Sequence, residues 1–126
     1  MELRTEQDIV RARQAVRLAA QELRLGLVDQ TKIVTAASEL ARNTVIHGGG
    51  GTMELEVVTE GLKTGLRLCF ADEGPGIADL GLAMTDGWTS GTGLGLGLTG
   101  AKRLSNEFEL DSAPGRGTRV TVTRWK

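Results

Sequence analysis

The stretch best suited to bind a ligand is a glycine-rich run, in which glycine alternates with Thr and Leu from Gly91 to Leu98. Apolar residues at helical spacing follow this run, so we expect its glycines to lead into a helix N-terminus. Free backbone N–H groups and the helix dipole favour an anion at such a position. Two common phosphate loops are excluded, because no predicted strand precedes the run and because Ala101, rather than Lys, follows Gly100.

An aspartate at the end of a predicted strand is a second candidate for binding a ligand. The buried face of this strand carries three apolar side chains, Leu66, Leu68 and Phe70. Because side chains alternate along a strand, Asp72 points to the same side, where a carboxylate is unfavourable unless it is hydrogen-bonded. The tight turn from Glu73 to Ile77 follows directly. We interpret Asp72 as a ligand-facing acid, and the alternative is an aspartate that caps this turn. Thr118 similarly places a hydroxyl on the buried side of the last predicted strand.

Two polar side chains four residues apart, Glu39 and Asn43, form a third candidate. They share one edge of a predicted helix, at the border of its apolar stripe. A helix edge that faces a cleft has this pattern. The alternative, favoured for the pair taken alone, is a hydrogen bond between the two side chains on the helix surface.

Composition narrows the class of protein. The 126 residues are expected to form one domain, residues 1–126, and the net charge of −1 gives no basis for binding nucleic acid or an anionic membrane. The sequence has no apolar run long enough to span a membrane and no signal segment, so we expect a cytoplasmic protein. One Cys and one His make a Cys/His metal site implausible, and Cys69 is interpreted as a small core residue.

Periodicity predicts the elements that position these residues. Thr5 and Asp8 form a capping pair for a first amphipathic helix, and Asp29 is expected to cap the second, which ends at His47. Alternating strands follow on both sides of a turn near Gly61. Residues 77–90 are irregular and form a candidate lid over the site. The helix after the glycine run has an apolar spacing formed by Leu98, Ala101, Leu104 and Phe108.

Four motifs occur in a fixed order: Glu39-Leu40-Ala41-Arg42-Asn43, Asp72-Glu73-Gly74-Pro75-Gly76-Ile77, the run from Gly91 to Gly97, and Gly117-Thr118. Together they resemble the Bergerat nucleotide-binding fold of the GHKL superfamily, which includes gyrase, Hsp90 chaperones, histidine kinases and MutL. More narrowly, nearly the whole chain resembles the bacterial anti-sigma-factor serine/threonine kinases, especially the RsbT-type switch kinases of the stressosome. The resemblance implies an α/β fold, an α+β two-layer sandwich whose mixed, mostly antiparallel sheet is covered on one face by helices.

The resemblance also implies ATP and Mg²⁺ as cofactors and a role for each motif. Asn43 is expected to ligate Mg²⁺, and Glu39 to position or deprotonate the attacking serine hydroxyl. Asp72 is expected to accept a hydrogen bond from the adenine amino group, assisted by Thr118. The backbone close to the base and sugar is expected to come from Gly74, Gly76 and Ile77. The phosphates are expected to be enclosed by Gly91, Thr92, Gly93, Leu94, Gly95, Leu96 and Gly97. No Arg or Lys lies from Ile77 to Leu98, so Lys102 or a partner residue is expected to meet the γ-phosphate.

Two functions from different classes follow from these residues. The first is an ATP-dependent protein kinase that phosphorylates Ser or Thr of a STAS-domain protein, a stressosome scaffold or antagonist, and is then released to activate a downstream partner such as a PP2C-type phosphatase. The second is a non-catalytic, ATP-gated binding module that sequesters a sigma factor or another regulator. Glu39 distinguishes them, because a pure binding module has no use for a carboxylate beside the γ-phosphate.

Overall fold

The structure, a computed structural model, describes residues 1–76 and 94–126, with side chains described from Leu98 onward in the second range. The described helices are α1 (Glu6–Glu22), α2 (Leu27–Arg42), a π-helical turn (Asn43–His47) and α3 (Leu94–Arg103). The described strands are β1 (Glu2–Leu3), β2 (Gly51–Glu60), β3 (Lys63–Asp72), β4 (Glu107–Ser112) and β5 (Thr118–Trp125). None of the helices in these ranges is long and apolar enough to cross a membrane.

The first two helices begin in different ways. The capping pair predicted for α1 is confirmed, because the Asp8 N–H donates to the Thr5 hydroxyl and the Thr5 N–H donates to the Asp8 carboxylate. The cap predicted for α2 is wrong, because this helix starts at Leu27 with Gly26 as its N-cap. Asp29 lies in the first turn and accepts hydrogen bonds from Arg124 Nε at 3.0 Å and Nη2 at 2.6 Å. Asp29 therefore pairs with Arg124 of β5 and does not cap α2.

The strands form one sheet in the order β1-β2-β3-β5-β4, and every pairing among these described strands is antiparallel. Helix α2 packs against β3 and β5, and it also contacts α1 and α3. The side chains between these two layers include Ile33, Leu40, Leu66, Leu68, Phe70, Leu98, Val120 and Val122, all almost fully buried. The predicted α+β sandwich with helices on one face of the sheet is therefore confirmed.

The opposite face of the sheet carries polar and charged side chains. Arg67 lies there, with its Nε donating to the Thr123 hydroxyl at 3.0 Å. Cys69 has the same parity and accepts a hydrogen bond from Arg119 at 3.2 Å, so its interpretation as a core residue is wrong. The alternation that turns Leu68 and Phe70 toward the helices also turns Cys69 away from them, so the core assignment overlooked the parity of its own strand. Phe108, assigned to the helical spacing, lies instead in β4 and packs on the edge of the core.

Candidate functional site

The register of the sheet brings Asp72 and Thr118 together. Asp72 ends β3 and lies directly opposite Thr118, the first residue of β5, so the two side chains share the helix-facing side of the sheet. The Gly74 N–H donates to Asp72 Oδ1 at 2.9 Å, so the turn-capping alternative is confirmed for that oxygen. Partial burial raises the pKa of Asp72, whereas the N–H groups of Gly74 and Thr118 lower it. Burial outweighs these two hydrogen bonds, so the net result is a raised pKa for the half-buried Asp72 carboxyl.

Close backbone approach around Asp72 depends on two glycines. A Cβ atom on Gly48 would lie 2.5 Å from Asp72 Oδ2 and 2.6 Å from Asp72 Cβ, which is closer than such atoms can approach. Gly117 has a φ of 75°, and a Cβ there would overlap the carbonyl of Asp72 and lie 3.0 Å from Glu73 Cα. Main chain from two segments distant in sequence therefore lies against Asp72: the end of the π-helical turn against its side chain, and the residue before β5 against its carbonyl.

A second hydroxyl, that of Ser112, lies beside Thr118 and is absent from the sequence-based predictions. Ser112 ends β4 and pairs with Thr118 in the register of β4 and β5. Its Oγ lies 2.9 Å from Thr118 Oγ1 and donates to the Gly117 carbonyl at 2.8 Å. Ser112 falls in a short alternating strand, so its parity could have indicated it, but only the register of β4 on β5 shows that it contacts Thr118.

The pair predicted on the second helix lies where that helix changes its winding. Glu39 is half-buried near the end of α2, and Asn43 begins the π-helical turn, in which the Gly48 N–H donates to the Asn43 carbonyl at 3.0 Å. Such π-helical turns occur frequently at functional sites. Asn43 Nδ2 is buried and has no hydrogen-bond partner, and no side-chain hydrogen bond joins Glu39 to Asn43 in the described part of the chain. The surface hydrogen bond considered as the alternative is therefore absent, and a buried amide is left to interact with something else.

Only part of the predicted phosphate-binding run falls within the described residues. Leu94, Gly95, Leu96 and Gly97 form the first turn of α3, so this half of the run is helical. Glycine disfavours a helix by about 1 kcal/mol relative to Ala, and the burial of Leu98 and Ala101 holds α3 in place. Gly91, Thr92, Gly93 and Ile77, together with the candidate lid over residues 77–90, lie outside the described residues. Lys102 is exposed in the last turn of α3.

A cavity of about 680 Å³ opens at the end of the sheet. Its lining includes Gly48, Asp72, Ser112 and Thr118, and also two arginines that the sequence reading did not single out, Arg4 and Arg116. Glu39, Asn43, Gly74, Gly76 and Lys102 do not line it. The π-helical turn that begins with Asn43 nevertheless contacts both β3 and α3, so it lies between the strand of Asp72 and the helix after the glycine run.

Comparison with protein families matches residues 28–126 to the histidine kinase-, DNA gyrase B- and HSP90-like ATPases. The chain belongs to this family. It is 48% identical over 121 residues to the serine/threonine-protein kinase RsbT of Bacillus subtilis (strain 168), covering 96% of this chain and 91% of that protein. It is also 32% identical over 120 residues to the anti-sigma F factor of Thermoanaerobacter sp. (strain X514), covering 90% and 82%. Among solved structures, the mycobacterial sensor histidine kinase MprB matches with a TM-score of 0.60 at 18% identity, over 99% of this chain and 96% of that one. This likeness concerns the fold.

Membership of an ATPase family implies that the chain uses ATP. Magnesium accompanies ATP in such sites and keeps several waters while it takes phosphate oxygens and one or two protein groups. The buried amide of Asn43 fits this requirement, because its partnerless atom shows that one end of the side chain is not used within the described structure. Amide oxygen and nitrogen are assigned from hydrogen bonds alone, so the oxygen, which is the atom able to ligate Mg²⁺, can occupy the partnerless position.

Proposed function

We propose that this protein is an ATP-dependent protein serine/threonine kinase, built as one domain over residues 1–126. The observation that carries the proposal is the pair on α2 and the π-helical turn: a half-buried carboxylate at Glu39 one turn before the partnerless amide of Asn43. Neither group has a structural use among the described residues, and both types are those that phosphoryl transfer requires. The similarity to the kinase RsbT over most of both chains supports the same activity.

At the base-binding end, the Asp72 carboxylate accepts a hydrogen bond from the adenine amino group, and Thr118 assists it. Gly74, Gly76 and Ile77 bring main chain close to the base and sugar. At the other end, N–H groups in the first turn of α3 and the preceding residues from Gly91 to Gly93 enclose the phosphates. Lys102 or a residue of the protein substrate supplies the positive charge that meets the γ-phosphate.

The chemical step transfers the γ-phosphoryl group to a serine or threonine hydroxyl. The hydroxyl oxygen forms a bond to phosphorus, the bond between phosphorus and the β–γ bridging oxygen breaks, and ADP leaves. Glu39 holds the hydroxyl and accepts its proton. Asn43 would hold Mg²⁺, and the ion would supply charge neutralisation of the phosphates.

The substrate in this proposal is a STAS-domain protein of a stressosome-type partner-switching pathway in the cytoplasm. Phosphorylation adds about two negative charges to the substrate surface. That charge weakens the complex, and the released kinase then activates a second partner such as a PP2C-type phosphatase. The relatives named anti-sigma F factors support the pathway type, because they too are named for action on a regulatory protein.

The test is phosphoryl transfer from labelled ATP to a purified STAS-domain substrate with Mg²⁺. We expect Glu39→Gln to lower the transfer rate by roughly 100-fold or more, the usual contribution of a general base, with ATP affinity within about twofold of wild type because this residue does not hold the nucleotide. Glu54→Gln makes the same chemical change at an exposed strand position and should transfer phosphate normally. Normal transfer by Glu39→Gln would remove the proposed role of this residue.

The second candidate function is the non-catalytic ATP-gated binding module, which is favoured by the name of the anti-sigma F factor relatives. The same experiment separates the two functions. A binding module would retain its regulator in the presence of ATP and transfer no phosphate in the wild-type protein, whereas a kinase loses affinity for its substrate as phosphate accumulates on it.

A further inference from the structure

Three side chains form a row across the sheet beside the base-binding end of the site. Asp72 on β3 lies opposite Thr118 on β5, and Thr118 lies opposite Ser112 on β4. Directly opposed residues project from the same face of a sheet. All three line the same cavity, so a ligand in it meets them together.

The hydrogen bonds of this row fix the direction of its hydroxyl protons. A serine hydroxyl has one proton, and that of Ser112 is donated to the Gly117 carbonyl at 2.8 Å. The contact of 2.9 Å between Ser112 Oγ and Thr118 Oγ1 therefore needs the Thr118 proton, so Thr118 is the donor in that contact. With its only proton directed at Ser112, Thr118 presents lone pairs to the cavity.

Asp72, which lies opposite Thr118, also presents only hydrogen-bond acceptors to the cavity. An ionised carboxylate carries no proton and only accepts hydrogen bonds. Asp72 and Thr118 therefore offer the ligand acceptors without donors. A base that carries an amino group at this point can donate a hydrogen bond to both. A base with a carbonyl oxygen there places an acceptor against two acceptors, so no hydrogen bond forms.

We propose that Ser112 is a positioning residue for base specificity: by holding the Thr118 hydroxyl as an acceptor, it makes the site select a 6-amino purine over a 6-oxo purine. The inference rests on the proposed nucleotide site and adds a residue that does not touch the base. Selection against the 6-oxo base follows because its binding would leave these half-buried polar groups without hydrogen-bond partners, which costs binding free energy.

The test compares the affinities of ATP and inosine triphosphate, which differ in the 6-substituent and the protonation of the adjacent ring nitrogen. We expect wild type to bind ATP more tightly. In Ser112→Ala the Thr118 hydroxyl loses its acceptor and can turn to donate to the 6-oxo group, so the preference for ATP should fall by about three- to tenfold, the range of one neutral hydrogen bond. Ser105→Ala is the matched control: its hydroxyl also donates to a carbonyl, that of Ala101 at 2.8 Å, but Ser105 does not line the cavity.

Thr118→Val provides a second variant, because valine has a similar shape and no lone pairs. It should weaken ATP binding and leave inosine triphosphate binding unchanged, which again lowers the preference. This variant decides the question if circular dichroism shows that Ser112→Ala does not fold. An unchanged preference in the folded variants, equal affinities in wild type, or the same fall in Ser105→Ala would each overturn the role of Ser112. Absence of ATP binding by wild type would instead remove the proposed function.

Discussion

Replacing Gly48 by alanine tests whether the main chain of the π-helical turn holds the Asp72 carboxylate in its binding position. Gly48 has a φ of −84°, an ordinary value that alanine adopts without strain. The new Cβ would nevertheless lie 2.5 Å from Asp72 Oδ2. The new Cβ would also lie 2.6 Å from Asp72 Cβ, so rotating the carboxylate cannot relieve the overlap. The main chain at Gly48 or Asp72 must shift, and the 2.9 Å hydrogen bond from the Gly74 N–H is then lost.

The size of the effect follows from the loss of a hydrogen bond to a charged group. Such a bond contributes roughly 1.5–3 kcal/mol, and about 1.4 kcal/mol corresponds to a tenfold change in affinity. If Asp72 moves, its bond to the adenine amino group is lost, so we expect ATP to bind about 10- to 100-fold more weakly. The overlap itself should lower the free energy of unfolding by about 1–3 kcal/mol, as overpacking does elsewhere.

Calorimetric titration with ATP and urea denaturation of the unliganded protein measure the two quantities separately. Gly100→Ala is the matched control, because a Cβ there meets no atom within 4 Å. In the interior of α3 it should raise the free energy of unfolding by about 0.5–1 kcal/mol and leave ATP affinity unchanged. Wild-type affinity in Gly48→Ala, or an equal loss of affinity in Gly100→Ala, would refute the argument that contact with Asp72 is decisive.

Two further substitutions should increase the free energy of unfolding and weaken ligand binding. Burial raises the pKa of Asp72 from 3.8, so the acid favours the folded state below that value and this contribution is lost as pH rises through the raised folded-state pKa. Asp72→Asn should therefore raise the free energy of unfolding at pH 7 and leave it unchanged near pH 3, while ATP affinity falls. Urea denaturation at pH values from 3 to 7 measures this gain. A gain that did not depend on pH would contradict the reasoning. Asn43→Ala removes a buried polar atom that lacks a hydrogen-bond partner among the described residues. The free energy of unfolding of the unliganded protein should therefore rise by about 1 kcal/mol. In titrations with and without Mg²⁺, the ion should no longer strengthen ATP binding by this variant. Loss of stability in Asn43→Ala, or an unchanged response to Mg²⁺, would count against its role.

Local features of the chain were predictable from the sequence. The capping pair at Thr5 and Asp8 depends on residues three apart, and the buried stripe of α2 follows from helical periodicity. The parity that turns Asp72 and Thr118 toward the helices follows from the two-residue repeat of a strand. The order of the four motifs identified the family. The roles of Glu39 and Asn43 in catalysis and metal binding stay predictions.

Three features were misread or left open in the sequence, and only one of them depends on the pairing of distant segments. Asp29 resembled a helix cap, but its partner is Arg124, which is 95 residues away in the chain. Cys69 resembled a core residue, but the parity of β3 places it on the open face with Arg119. The turn-capping role of Asp72 was open in the sequence, and the hydrogen bond from Gly74 settled it.

The sequence by itself determined the element types, the inward direction of Asp72 and Thr118, and the family, because these depend on local periodicity and on residue types in order. The tertiary structure decided which groups touch. The register of β3, β5 and β4 aligned Asp72, Thr118 and Ser112 in one row, and the end of the π-helical turn brought Gly48 against the carboxylate. The physical reason is that shifting a strand by one residue reverses every side chain relative to its neighbours while leaving its own alternation intact. Contacts across the sheet are therefore fixed by the packed core that selects the register.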